Sequence, residues 1–395
     1  MDLRIETHPM SLFDVKPGAI DREEVFQETF QPDRLPGREE ILDTLLRTIR
    51  TSWDPGGGMI ILRGGPGTGK TAVAKALMGE SQSGVPAKWV YFEGEASTSY
   101  QETIQLTNAL RSGPPLNSTG YSRDAVESHF EAALTELDDS HGIVVDGAVP
   151  DVHGPILSQL VTHVTRQSSA LVGVLVLTRS DEQLLSESVL TETIHLDYTL
   201  SELELILEQR VELGCDSEQV SPEVVPLCAS YGYQTGTGAR GAIELFTEAA
   251  QISQEELAPE IVGKHVETAK KRLEVEHLAE NLATFEEHAH LLLYAIGSLA
   301  VDKRLPAVTR EIYAAYERYC EMRSRTPLSH RRLADRFEAL LDTGVLEYTE
   351  INEGRAGGAY RRYDLAVPWD QLVEPLNRVT DCPNVHRDVA RQAGN

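Results

Sequence analysis

The run Gly64-Gly65-Pro66-Gly67-Thr68-Gly69-Lys70-Thr71 fits the spacing G-x-x-x-x-G-K-[ST] at every fixed position. The residue types match a definite chemistry. Glycines let backbone N–H groups turn inward around a chain of phosphates, Lys70 can reach the β and γ oxygens, and the Thr71 hydroxyl can ligate Mg²⁺. The expected nucleotide set is therefore Gly64, Gly65, Pro66, Gly67, Thr68, Gly69, Lys70, Thr71 and Ala72. A second acidic position follows from Ile143-Val144-Val145-Asp146, an apolar run ending in a carboxylate, where a parallel sheet places the other Mg²⁺ partner. A third group is basic: Arg331, Arg332 and Arg336 beside an apolar stripe, then Arg355, Arg361 and Arg362 near the tip of an expected hairpin. Arginines so placed suit phosphate and base-edge contacts on double-stranded DNA.

The flanking patterns separate a phosphate loop from the bland alternative of a glycine-rich turn. Met59-Ile60-Ile61-Leu62 reads as a buried strand before the loop, and Ala72 to Met78 reads as a helix after it. Ahead of both, Ile41, Leu42, Leu45, Leu46 and Ile49 fall at helical spacing. Strand signals recur at Trp89 to Phe92, at Ile143 to Val145 and at Leu171 to Leu177, alternating with helical segments. That alternation predicts an α/β fold with a doubly wound parallel sheet. From Ser201 to about Leu282 the pattern is helical, with breaks at Pro222, Gly236 and Pro259, as in a small lid. Helical stretches at Phe285 to Leu299 and Val308 to Arg323 follow. Ser329 then caps an expected helix with the stripe Leu333, Phe337, Leu340 and Leu341. Strands at Val345 to Ile351 and Ala359 to Leu365 complete an α+β winged helix. The expected divisions are 1–35 as an extended arm, 36–198 as the nucleotide-binding base, 199–282 as the lid and 283–395 as the winged helix.

The chain has 395 residues and a formal net charge of −26. From Ala283 onward 17 acidic residues face 15 basic ones, so the first 282 residues carry nearly all the excess. Eight lysines against 28 arginines, in so acidic a chain, suit a surface that must stay hydrated in concentrated salt, and a halophilic source is expected. No apolar run approaches transmembrane length and no leader pattern is visible, so the reading is cytoplasmic, with no membrane partner. Cys215, Cys228, Cys320 and Cys382 are widely spaced, without a zinc-ligand pattern.

In combination these pieces resemble the archaeal origin-recognition/Cdc-type replication initiators, AAA+ proteins with a C-terminal winged helix. The resemblance rests on Pro32-Asp33-Arg34-Leu35-Pro36-Gly37-Arg38-Glu39, the phosphate loop, and Tyr198 with Glu202-Leu203 and Ile206-Leu207-Glu208-Gln209-Arg210. It continues in Ala239-Arg240-Gly241-Ala242-Ile243-Glu244-Leu245 and in Gly357-Gly358. It implies ATP or ADP with Mg²⁺ as cofactors, Thr71 and Asp146 at the metal, and nucleotide contacts from Tyr198 and Arg210. It further implies Arg240 as the lid arginine at the γ-phosphate and Gly357 and Gly358 in a DNA-contacting wing. The implied partners are origin DNA, the replicative helicase and related initiators. The segment Thr98 to Glu131 falls where relatives carry an extra DNA-contacting helix.

Three catalytic positions depart from that family. Gly147 stands where relatives have the glutamate that orients water, Arg179 or Ser180 replaces the expected asparagine, and Ser188-Val189-Leu190-Thr191-Glu192 lacks the expected Ser-Arg pair. Loss of water activation and charge stabilisation leaves nucleotide binding with weak hydrolysis. Asp151 or Asp181 doing the missing work is the alternative. In function the alternative is a nucleotide-switched transcriptional or signalling regulator whose winged helix binds a promoter or a partner protein. A repeatedly hydrolysing motor is disfavoured by the missing groups.

Overall fold

The apolar run ahead of the glycine loop shows no polar alternation, which is how a strand covered on both faces reads. The computed structural model describes residues 19–52, 58–79, 88–94, 98–137, 141–166, 172–178, 191–352 and 359–380. The chain divides into two units, residues 1–267 and 268–395.

In the first unit, α1 (Glu39–Ser52) precedes β1 (Gly58–Arg63), the loop and α2 (Lys70–Met78). Then come β2 (Lys88–Glu93), α3 (Ser99–Leu110), α4 (Arg123–Thr135), β3 (His141–Asp146), α5 (Pro150–Arg166), β4 (Val172–Thr178) and β5 (Thr191–His195). The strands form one parallel sheet in the order β2-β3-β4-β1-β5. The expected parallel α/β architecture is what the chain adopts. Ile60, Leu62, Val144, Leu175 and Leu177 face Leu45, Ile49, Val73 and Leu77 on one side of the sheet. Met59, Ile61, Ile143, Val145 and Val176 face Phe130, Leu157 and Leu160 on the other. Each fully buried side chain of this size contributes about 1.5–3 kcal/mol of transfer free energy.

The lid continues with α6 (Leu200–Gly214), α7 (Val224–Gln234), α8 (Gly238–Glu255) and α9 (Gly263–Ala283). A capping box starts α6: the Thr199 hydroxyl accepts from Glu202 N at 3.3 Å, and the Glu202 carboxylate accepts from Thr199 N at 2.7 Å. The stretch before α1, read as an extended arm, is structured from residue 19 onward. Ile20 bridges Cys215, and a 3-10 turn at Glu23–Phe26 buries Val25 and stacks Phe26 on Phe246 with ring centroids 5.1 Å apart.

The second unit contains α10 (Glu287–Val301), β6 (Ala307–Val308), α11 (Thr309–Met322), α12 (His330–Asp342), β7 (Leu346–Asn352), β8 (Ala359–Leu365) and α13 (Trp369–Val379). Its sheet runs β6-β8-β7, with β7 and β8 an antiparallel hairpin. Leu291, Leu292, Tyr294, Tyr316, Leu333, Phe337, Leu340 and Tyr363 form its core, joined by Leu282. The helix–helix–helix–hairpin order is the expected winged helix. Ser329 occupies the position before α12 in extended conformation, but its side chain makes no capping bond. The sequence pattern does not predict β5, β6, α13 or the helices α3 to α5 as separate elements.

One buried pair sits inside the first unit. Glu102 on α3 and His153 on α5 are almost completely buried, with carboxylate and Nε2 3.8 Å apart, while His153 Nδ1 accepts from Val149 N at 3.1 Å. Burial holds the His153 pKa below its ordinary value, against the pull of the Glu102 carboxylate. The unfolded chain therefore takes up this proton first as pH falls below about 6.5. Stability from the neutral ring is complete above that pH and is lost as pH drops toward the depressed folded value. Urea unfolding of the full chain is expected to lose up to about 1.4 kcal/mol per pH unit on this account over that window. His153→Asn, which keeps an acceptor for Val149 N, should flatten the slope; an unchanged slope would show that other groups carry it.

Candidate nucleotide and DNA sites

The phosphate loop joins the C-terminal end of β1 to the start of α2, so the first amides of α2 open toward the end of the sheet. Gly67 and Gly69 take positive φ of 69° and 81°, which a side chain would strain. Lys70 is buried, its Nζ held by the carbonyls of Gly64 at 2.8 Å and Gly65 at 2.7 Å, with the Thr68 hydroxyl at 3.3 Å. The loop thus keeps its cation folded over its own backbone. Pro66 lies at the apex beside Gly238, and the Ala72 carbonyl accepts from Gln31 Nε2 at 3.0 Å.

Asp146 ends β3, separated from β1 by β4 in the sheet. Its Oδ2 accepts from the Thr71 hydroxyl at 2.7 Å and from the Tyr91 phenol at 2.6 Å. Burial and this hydrogen bond to the carboxylate raise the Tyr91 pKa well above the usual phenol range, so Tyr91 stays a donor to Asp146. Threonine hydroxyl and carboxylate are hard oxygen donors brought together at a strand end, a fit for Mg²⁺, which takes few protein ligands and keeps water and phosphate oxygens. Among the described residues no cluster of three or more His, Cys, Asp or Glu could hold a metal by itself. Gly147 has φ of 75°, a left-handed backbone conformation that disfavours the glutamate that the resemblance implies at this position. The side chain of Asp151, in the first turn of α5, and residues 179–181 and 188–190 lie outside the described residues.

The lid reaches the loop through backbone. Gly67 O accepts from Ala239 N at 3.1 Å. Arg240 follows at the start of α8, but its Nε is paired with Glu28 at 2.6 Å. Tyr198 is buried with its hydroxyl against Gly69, and the Arg38 guanidinium lies over its ring at 3.5 Å. Burial raises the Tyr198 pKa, opposed by Arg38. Arg210 is also buried: its guanidinium donates to the carbonyls of Val25 and Phe30 and covers the Phe30 ring at 4.6 Å. It clamps the arm onto α6.

Arg38 was missed as a site residue. Its Nη2 donates to Thr68 O at 3.1 Å and to Asp197 O at 2.7 Å, joining loop, β5 end and lid. The signal available in the sequence is the Gly37-Arg38 pair within the Pro32 to Glu39 segment. Tyr91 had none, because its role depends on strand register.

On the winged helix, the core stripe of α12 leaves Arg331 and Arg332 exposed, with no ion-pair partner among the described residues. Arg336 is paired with Glu286. Arg361 pairs with Glu338 at 2.9 Å and lies over the Tyr348 ring at 4.1 Å. Arg355, Gly357 and Gly358 lie outside the described residues.

Three family profiles match in succession: an AAA ATPase domain over residues 34–191, a Cdc6 AAA+ ATPase-type lid domain over 204–271, and a CDC6 C-terminal winged helix domain over 280–374. The chain is 29% identical to ORC1-type DNA replication protein 11 of Haloarcula marismortui over 94% of each chain. It is 27% identical to the ORC1-type DNA replication protein of Thermococcus onnurineus over 85% of each. Its fold matches the Aeropyrum pernix ORC1 protein in complex with DNA at a TM-score of 0.76 and 26% identity, covering 93% of this chain and 98% of that one. Cdc6p of Pyrobaculum aerophilum shares the fold at a TM-score of 0.55 and 21% identity, covering 94% of this chain and 100% of that one. With base, lid and winged helix matched in order, the chain belongs to the archaeal ORC1/Cdc6 family of AAA+ replication proteins.

Proposed function

We propose that this chain is a replication initiator that binds ATP or ADP with Mg²⁺ in the first unit and double-stranded origin DNA through the winged helix. The observation that carries the reading is the pair of unpartnered arginines, Arg331 and Arg332, exposed on a helix whose opposite face is the domain core. A DNA-bound ORC1 structure with the same fold supports it. A promoter- or partner-binding regulator draws no support from the relatives, which are ORC1-type DNA replication proteins. Several of those relatives are haloarchaeal, in keeping with the acidic, lysine-poor composition. No helix among the described residues is long and apolar enough to cross a membrane.

In this reading the amides of Gly67, Gly69 and their neighbours, with Lys70, bind the phosphates, and Thr71 and Asp146 hold the Mg²⁺ that neutralises them. Tyr91 keeps Asp146 oriented. Tyr198 and Arg38 hold the loop from the end of β5, and Arg240 would exchange Glu28 for a γ-phosphate. Arg210 serves the nucleotide indirectly, through the arm. Gly147 supplies no base for the attacking water, so hydrolysis is weak and the nucleotide acts as a resident switch. DNA contacts come from Arg331 and Arg332, with Arg336, Arg355 and Arg361 adding phosphate contacts and Gly357 and Gly358 letting the wing approach the duplex. The replicative helicase and related initiators are the expected protein partners.

Lys70→Ala is expected to weaken ATP by one charged phosphate contact, about 1.5–3 kcal/mol or roughly 10- to 150-fold, measured by calorimetry. In the wild-type chain, bound ATP should be recovered largely intact from a single-turnover assay. Prompt conversion to ADP would show that another group replaces the missing glutamate. Arg331→Glu with Arg332→Glu should abolish discrete origin footprints while leaving ATP affinity unchanged. Footprints that persist would move DNA recognition elsewhere.

A further inference from the structure

In the second unit the two faces of β8 have different neighbours. Tyr363 and Arg361 face α12, touching Phe337 and Glu338. By the alternation of a strand, Tyr360 and Arg362 point to the other side. There they line a cavity of about 700 Å³ together with Arg304, Arg310 and Arg318. Arg304 follows α10, Arg310 opens α11 and Arg318 stands about two turns further along α11. These four arginines as a group belong neither to the nucleotide loop nor to the exposed arginines of α12.

Charge and hydrogen bonding at the cavity are unbalanced. Its lining carries four guanidinium groups against two carboxylates, Asp302 and Glu311. Glu311 is already engaged, because it accepts from Val308 N at 3.2 Å as part of the α11 cap. Arg318 is held in place by the Tyr319 hydroxyl at 2.7 Å. Arg304 and Arg310 are exposed, with no ion-pair partner among the described residues. Arg362 Nε is buried and has no hydrogen-bond partner, a state that costs stability unless something accepts from it. In a chain of net charge −26, such a concentration of donors is an exception. The volume falls in the range of small-ligand clefts, and the apolar walls at Leu299, Ala314 and Ala315 strengthen the field inside. Several guanidinium forks around one recess match the geometry and charge of a phosphate, whose oxygens accept several charged hydrogen bonds at once.

We propose that this cavity between α10, α11 and β8 is a phosphate-binding site, separate from the nucleotide loop and from the exposed arginines of α12. The phosphate has two conceivable sources, the backbone of a duplex lying along β8 or a free phosphorylated small molecule.

The test uses the full chain loaded with ADP and Mg²⁺, so that the loop is filled, and inorganic tripolyphosphate as the calorimetric probe. Arg310→Gln, at an exposed position, and Arg362→Gln should each weaken tripolyphosphate binding about tenfold or more, the effect of one charged hydrogen bond. Arg332→Gln should leave it unchanged. A parallel titration of duplex DNA against KCl identifies the source. A slope of log affinity against log salt reduced by about one in Arg310→Gln assigns the phosphate to the DNA backbone, and an unchanged slope with lost tripolyphosphate binding assigns it to a free ligand. Tripolyphosphate binding that is equal in wild type, Arg310→Gln and Arg362→Gln overturns the proposal whatever the DNA slope does.

Discussion

The first unit depends on a contact between two pieces of backbone. Gly67 at the top of the phosphate loop and Gly238 at the start of α8 approach so closely that a Cβ on Gly67 would stand 1.9 Å from Thr237 O, and one on Gly238 would stand 2.8 Å from Gly67 O. The hydrogen bond from Ala239 N to Gly67 O fixes the same approach. Because no side chain intervenes, a shift of the loop is transmitted to α8 without the slack of rotamers. The next residue is Arg240, so its reach is set by this contact. Two turns further along α8, Phe246 stacks on Phe26, and Arg210 holds the carbonyls around that segment. Loop, lid and arm therefore form one mechanical chain. A nucleotide can bias it only through interactions that differ between the states of the lid, and in the proposed function Arg240, paired with Glu28 here, is the residue that would trade that carboxylate for a phosphate.

What could be read from the sequence follows from how local each signal is. The loop, β1 and α2 were legible because spacing alone defines them, and α12 was legible because its stripe repeats at helical period. β5 was not: Thr191-Glu192-Thr193-Ile194-His195 is polar on both sides of one apolar residue, and only its pairing with β1 makes it a strand. β6 is two residues long and exists through its pairing with β8. At the site, Thr71 and Asp146 were found from motif and strand-end position. Tyr91 and Arg38 were not, since one depends on β2–β3 register and the other on a fold that returns Arg38 to the loop. Arg240 is singled out by the sequence, but the carboxylate paired with it is not, because Glu28 lies 212 residues away in sequence.

The acidic surface also shapes how the winged helix meets a polyanion. Glu286 holds Arg336, and Glu338 with Glu350 hold Arg361, so two of the arginines expected at DNA already have carboxylate partners. Exposed ion pairs of this kind stabilise the fold little, and concentrated salt weakens them further. Their effect falls instead on selectivity. A phosphate that arrives without the right groove geometry must displace a carboxylate for no compensating base contact, whereas a site that also engages Arg331 and Arg332 gains contacts that cost no exchange. The carboxylates thus raise the threshold for non-specific binding more than for specific binding. In a medium where counterion release contributes little, that difference leaves groove shape and base edges to decide where the chain settles.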